Sequence, residues 1–160
     1  MNYHRLVQSV IFVAVALASS LVIASDPKID AMTLVKKARL GDNLPSLGYQ
    51  YAQRTTTYQI IVKSVGAEKA QLLVQSEIDN ARPKYQEQWD KNLAASYVET
   101  FAPNELESLA ENPRASPYVS KLMANQRAVS QRMQTKSTEL LKALLTEVLT
   151  NAFAKVTPKQ

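Results

Sequence analysis

Apolar residues fill the start of the chain and then recur every three or four positions along the rest of it. Residues 6–24 are almost wholly apolar, follow a short start that carries Arg5, and precede a polar segment with a proline. A basic start, an apolar run and small residues before a polar break are typical of a secretory signal peptide. We therefore predict a signal peptide over residues 1–24, cleaved after Ala24, and a mature chain over residues 25–160.

The same apolar run permits a second interpretation, because about 20 apolar residues suffice to span a bilayer. In this alternative the segment stays attached and anchors the protein to the inner membrane. Two serines, Ser19 and Ser20, interrupt the run, and no basic cluster directly follows it. Both features favour cleavage and export to the periplasm.

From residue 25 onwards the apolar positions follow helical spacing, and no segment alternates strictly as a half-buried strand does. Prolines, capping residues and glycines divide this pattern into segments. The predicted helices cover residues 27–41, 44–65, 67–81, 83–101, 103–112 and 116–155. The sequence therefore predicts an all-α fold, a small helical bundle of about five to six helices with a long C-terminal helix. We expect one all-helical domain over residues 25–160.

Three boundaries depend on single residues. Gly41 can adopt the left-handed conformation that ends the first helix. Arg82 precedes Pro83 and is disfavoured in helical geometry, so we expect a break or kink there. Ser116-Pro117 combines a capping serine with a first-turn proline, and no glycine or proline follows until after Lys155. This pattern predicts one uninterrupted last helix.

The residue types that are missing exclude several kinds of site. The sequence has no cysteine, three isolated glycines and one histidine, His4, which lies in the predicted signal peptide. Without imidazole or thiolate, the mature chain cannot form a structural zinc site or activate a nucleophile through histidine. We therefore expect a protein that is not an enzyme and has no cofactor or metal. A calcium site or a pair of catalytic carboxylates, which need only oxygen atoms, remains formally possible.

The formal charge of +5 is interleaved along the chain and is a poor indicator of nucleic-acid binding. The start of the last helix nevertheless carries a candidate binding surface of Arg114, Lys121, Arg127 and Met133. Its expected partner is an envelope protein or an anionic envelope component, and a solvated helix face is the alternative. Paired leucines over residues 140–149 would also allow a homodimer through the C-terminal helix, although an ordinary core explains them better.

Four aromatic residues form a candidate apolar pocket: Tyr85, Trp89, Tyr97 and Phe101. Such a pocket between helices would make the protein a carrier of a small molecule or lipid, which is the alternative to a binding or interaction module. Their helical spacing fits core packing as well.

Acidic residues cluster near the fifth predicted helix: Glu99, Glu105, Glu107 and Glu111. Glu105 and Glu107 would lie in a first helical turn, where the helix dipole favours negative charge. A weak calcium site or an acid–base pair is the alternative, and Glu105 with Lys121 would then be the pair to examine.

The run from Tyr97 to Leu109, followed by Ser116-Pro117 and Lys121, resembles the exported bacterial proteins of the domain-of-unknown-function family numbered 2059. The resemblance covers about residues 97–150. It implies an elbow over residues 97–121, in which a short helix folds back before the last helix begins. No activity is attached to this family, so the resemblance implies fold and export but no mechanism.

The chain departs from the family pattern at several positions in this elbow. Asn112-Pro113-Arg114 stands where the family has an aromatic pair, with one residue of extra spacing. Val119 replaces a glycine, and Ala102 replaces a capping serine or threonine. If the aromatic pair lines a binding groove in the family, that groove is altered here.

Overall fold

The computed structural model describes residues 25–157, and every regular element among them is a helix. The seven helices are α1 (Pro27–Lys37), α2 (Leu44–Ala52), α3 (Thr56–Val65), α4 (Ala67–Val98), α5 (Pro103–Glu111), α6 (Val119–Ala124) and α7 (Gln126–Val156). The all-α prediction is confirmed, but the described part has one helix more than the largest number expected. The predicted signal peptide lies outside the described residues.

The two longest helices, α4 and α7, form the centre of the bundle. Each has more than 30 residues and is therefore about 45 Å long. Glu77 near the start of α4 pairs with Lys155 near the end of α7. Asn92, further along α4, donates to Ser137, which is earlier in α7. The reversed order of these contacts shows that the two helices run antiparallel.

The shorter helices cover different sides of this pair. α1 packs on α4 and α5, whereas α2 and α3 each pack on both α4 and α7, and α6 packs on α7. One hydrophobic cluster joins these elements. Its largest fully buried apolar side chains are Leu34, Val35, Leu44, Ile61, Val74, Ile78, Tyr97, Leu106, Leu109, Leu144 and Val148. Within residues 25–157, no helix combines the length and the apolar character needed to cross a bilayer.

Of the break or kink predicted at Pro83, the break does not occur, because α4 continues through it. A proline inside a helix removes one backbone hydrogen bond and costs about 3 kcal/mol. Here Pro83 is exposed, and so is Asp79, whose carbonyl would have accepted that bond, so water can reach it. The buried neighbours Ala81 and Tyr85 hold both halves of α4 in the core. Tertiary packing therefore overrides the local preference.

The single helix predicted over residues 44–65 is divided into α2 and α3. Thr55 occupies the N-cap of α3, where its hydroxyl accepts from the Tyr58 amide at 3.2 Å. The same hydroxyl donates to the Ala52 carbonyl at the end of α2, at 2.7 Å. One threonine thus satisfies backbone groups of both helices, which explains why the chain turns here.

The last helix also has a different form from the one predicted. Helix begins at Val119 instead of Pro117, and Asn125 separates α6 from α7. The side-chain amide of Asn125 donates to the Lys121 carbonyl at 2.9 Å. Asparagine competes in this way with regular helical bonding. The predicted end near Lys155 agrees with the observed end of α7.

The first helix ends earlier than Gly41. α1 ends at Lys37, and the left-handed conformation belongs to Arg39, with φ of 54°. This conformation costs a non-glycine residue about 1–2 kcal/mol. Arg39 is held there by an ion pair of 2.6 Å between its guanidinium and the Asp42 carboxylate.

Candidate functional site

An open groove with an apolar lining lies between α3 and α7, and we call it the α3–α7 groove. Its volume is about 630 Å³. The apolar lining comes from Ile60 of α3 and from Leu145, Leu149 and Phe153 of α7. Polar groups at its edges are contributed by Thr55, Thr57, Lys142, Thr146 and Thr150.

Two large apolar side chains of this groove face solvent. Ile60 is 43% exposed and Phe153 is 38% exposed. Covering apolar surface contributes roughly 25 cal/mol per Å², so a ligand with an apolar chain would gain free energy here. The one charged lining residue, Lys142, lies 2.7 Å from the Glu139 carboxylate. The lining therefore carries one charge, in an exposed ion pair with a residue outside the lining.

Several residues that line this groove belong to pairs of adjacent apolar residues in the sequence. Leu144 and Val148 of α7 are fully buried, and each is followed by a leucine that lines the groove. Leu145 is half-buried, whereas Leu149 is 7% exposed and also belongs to the core. Ile61 is likewise buried while Ile60 is exposed. Adjacent helical residues point about 100° apart, so one member of such a doublet lies near the edge of the buried face and can border a groove beside it. These doublets are the sequence signal for the groove, and their leucines were predicted to belong to the core or to a dimer interface.

The four aromatic residues predicted to line a pocket are all in the core, each at most 7% exposed. The Tyr97 and Phe101 rings pack with their centroids 5.9 Å apart. The Tyr85 hydroxyl donates to the Glu147 carboxylate at 2.7 Å. Among the four, Trp89 borders a depression of about 200 Å³ between α2, α4 and α7. Packing accounts for all four positions, and a ligand pocket shared by them stays a prediction.

The predicted binding surface is only partly at the surface. Arg114 and Arg127 are exposed, and Lys121 has a 44% exposed side chain. Met133 is 6% exposed and accepts a hydrogen bond from Ser137 on the same buried face of α7. Met133 borders the depression beside Trp89 and not the exposed surface of the three cations, so its part in partner binding stays a prediction. Binding of a partner by the three cations stays a prediction.

Glu105 and Lys121 do meet, and their contacts are those of a structural ion pair. The Lys121 ammonium lies 2.6 and 2.7 Å from the two carboxylate oxygens. The Ala102 amide donates to the same carboxylate at 2.9 Å, which caps α5 although alanine has no side-chain acceptor. Lys121, and next the Ala102 amide, lower the pKa of Glu105. Lys121 also lies over the Phe101 ring, 5.4 Å from its centroid.

The remaining glutamates of the acidic cluster do not converge with Glu105. Glu99 contacts Lys136 and Arg132 of α7, and the hydrogen bond from Lys136 is the main reason that the pKa of Glu99 is lowered. Glu107 and Glu111 are exposed on α5. Among residues 25–157 no three His, Cys, Asp or Glu side chains are placed to hold a metal ion.

The chain was compared with protein families, curated proteins and solved structures. No family model, curated protein or solved structure matches it. The resemblance over residues 97–150 therefore stays a prediction, and the candidate sites depend on geometry alone.

Proposed function

We propose that this protein is an exported, non-enzymatic binding module of the cell envelope, and that its α3–α7 groove takes up the acyl chain of an uncharged envelope lipid. The observation that carries this proposal is the open apolar groove of about 630 Å³ with Ile60 and Phe153 exposed to solvent. Ligand sites commonly have volumes of about 300–1,000 Å³ and apolar linings with a few polar groups.

The polar edge of the groove supports an uncharged ligand. Lys142 is the one charged residue of the lining and already has Glu139 as a partner, whereas the rest of the lining is apolar or hydroxylated, so contacts without charge would dominate binding. Thr146 and Thr150 are one helical turn apart on α7 and line the groove, and their hydroxyls can exchange hydrogen bonds with a hydroxylated head group. A monoacylglycerol combines these properties in one molecule.

An open groove fits an interaction module better than an enclosed carrier. The aromatic residues expected around an internal cavity pack against neighbouring helices instead. A ligand in the α3–α7 groove would keep one side in solvent, where another envelope molecule can reach it. We accordingly place the carrier function second.

The resemblance to the exported family is part of this proposal. The elbow supports it, because Tyr97 contacts Phe101 and Lys121 pairs with Glu105, at positions that match the family pattern. The altered residues at 112–114 lie in a turn of this elbow.

The proposal is tested by titrating protein purified after expression of the full chain with 1-monooleoylglycerol below its aggregation concentration. Calorimetry should give saturable binding to one site, and the intact mass should show that residues 1–24 have been removed. Phe153→Glu should weaken binding by about tenfold or more, because burying an unpaired carboxylate in an apolar site costs several kcal/mol.

Leu72→Glu is the matched control. Leu72 is 61% exposed on α4 and does not line the groove, so the same chemical change there should leave the affinity unchanged. Absence of saturable binding, or equal weakening by both substitutions, would contradict the groove assignment. A purified chain that still carries residues 1–24 would contradict export by cleavage.

A further inference from the structure

A second groove lies between α1 and α4, and we call it the α1–α4 groove. Its volume is about 340 Å³. Four apolar side chains line it: Met32, Ala94, Ala95 and Val98. The other lining residues are charged: Lys28, Lys91 and Glu99. The groove is separate from the α3–α7 groove, because α1 packs on α4 and α5 while α3 packs on α4 and α7.

The charges around this groove favour an anion. Glu99 is already engaged by Lys136 at 2.7 Å and by Arg132 at 3.5 Å, so its negative charge is balanced from outside the groove. Lys28 makes no ion pair with any residue between 25 and 157. This leaves one unpaired ammonium group beside an apolar lining.

Lys91 adds a second positive group that can turn towards a ligand. Its partner is Glu87, at 2.6 Å, in an ion pair within one helix whose side chains are both more than half exposed. Exposed pairs of this kind contribute little free energy, so exchanging Glu87 for a ligand carboxylate costs little. Beyond Lys91 the adjoining depression is lined by Glu87 and Asp90 together with Lys36, so its charges partly cancel and favour an anion less than the side towards Lys28 does.

We propose that the α1–α4 groove binds the carboxylate form of a medium-chain fatty acid. The carboxylate would lie between Lys28 and Lys91, and the hydrocarbon chain would cover Met32, Ala95 and Val98. The volume lies at the lower end of the range for ligand sites and is about half that of the α3–α7 groove, which favours a medium-length chain. This site is independent of the proposed uptake of an uncharged lipid.

The test compares decanoate with 1-decanol, which has the same chain length without a negative charge. Calorimetry on protein from full-chain expression should give saturable decanoate binding and weaker decanol binding. Lys28→Met should reduce the decanoate affinity on the order of tenfold and remove the preference over decanol, since a charge-assisted contact is lost. The matched control Lys69→Met changes an exposed lysine on α4 outside the groove and should bind as the unchanged protein does.

A second variant tests the apolar half of the site. Ala95→Leu places a larger side chain in the groove and should abolish decanoate binding while the far-ultraviolet circular dichroism stays helical. Phe153→Glu should leave decanoate binding intact, which separates this site from the α3–α7 groove. Equal affinity for decanol and decanoate, no saturable decanoate binding, or unchanged binding by Lys28→Met would overturn the proposal.

Discussion

Gly48 offers a sharp test of how α2 packs against the two long helices. It is buried in the interior of α2, and its backbone does not have a positive φ. A β-carbon added there would lie 3.5 Å from a methyl group of Leu144 and 3.7 Å from one of Ile78. These are ordinary van der Waals distances, so the methyl group of alanine fits without a shift of its neighbours.

Gly48→Ala is therefore expected to stabilise the fold. Alanine in a helix interior is favoured over glycine by roughly 0.5–1 kcal/mol, because glycine loses more backbone entropy on folding. The new methyl contacts add to this gain. Thermal denaturation followed by circular dichroism should show a rise in Tm of about 2–4 °C per kcal/mol.

Gly66→Ala provides the matched control. Gly66 has φ of 87°, and no atom lies within 4 Å of an added β-carbon. With ψ of 158°, Gly66 lies in a region that is essentially restricted to glycine, so the backbone strain of alanine there should destabilise the protein by about 1–3 kcal/mol. The two substitutions are identical in chemistry but opposite in expected sign. Destabilisation by Gly48→Ala would refute the reasoning, since it would mean that α2 lies closer to α4 and α7 than described.

Two further predictions concern the elbow and the turn before α3. Lys121, and next the Ala102 amide, lower the pKa of Glu105 from 4.5. The charged carboxylate therefore stabilises the fold at pH values above 4.5. This contribution is lost as the pH falls through the lowered pKa. The Lys121→Met variant should therefore lose less stability than the unsubstituted protein when the pH falls from 7 to 3, as measured by thermal denaturation. If both proteins show the same dependence of Tm on pH, the result would count against the pairing. Thr55→Ala should cost about 1 kcal/mol in urea denaturation, because it removes the α3 cap. Thr56→Ala in the exposed first turn should cost much less, and equal losses would disprove the cap.

The sequence was sufficient for the fold class because apolar spacing is a local property. It was insufficient where distant contacts compete with local rules. Pro83 predicts a break, but burial on both sides of it keeps α4 continuous. Thr55 and Asn125 divide helices through side-chain bonds to backbone groups. Threonine and asparagine have this ability at many positions, so residue type alone does not tell where it is used.

The candidate sites were less predictable than the helices. The charge pattern and the resemblance brought Glu105 and Lys121 into consideration, and the structure places them in contact. The same reasoning put Met133 on the surface, since a sparse apolar stripe does not reveal which helix covers it. Both grooves depend on the spacing between helices that are distant in sequence. Lys28 and Lys91, for example, share a groove although 62 positions separate them.

The antiparallel pairing of α4 and α7 has a consequence for how this protein can vary in length. Contacts such as Glu77–Lys155 and Asn92–Ser137 hold the two helices in register, and they lie outside the elbow. The turn at residues 112–115 is exposed at Asn112, Arg114 and Ala115, and its backbone bonds from the Ala115 and Ser116 amides to the Asn112 carbonyl are local, so an inserted residue would disturb them without moving either long helix. The turn at residues 112–115 is therefore where related chains can gain or lose residues at little cost in stability.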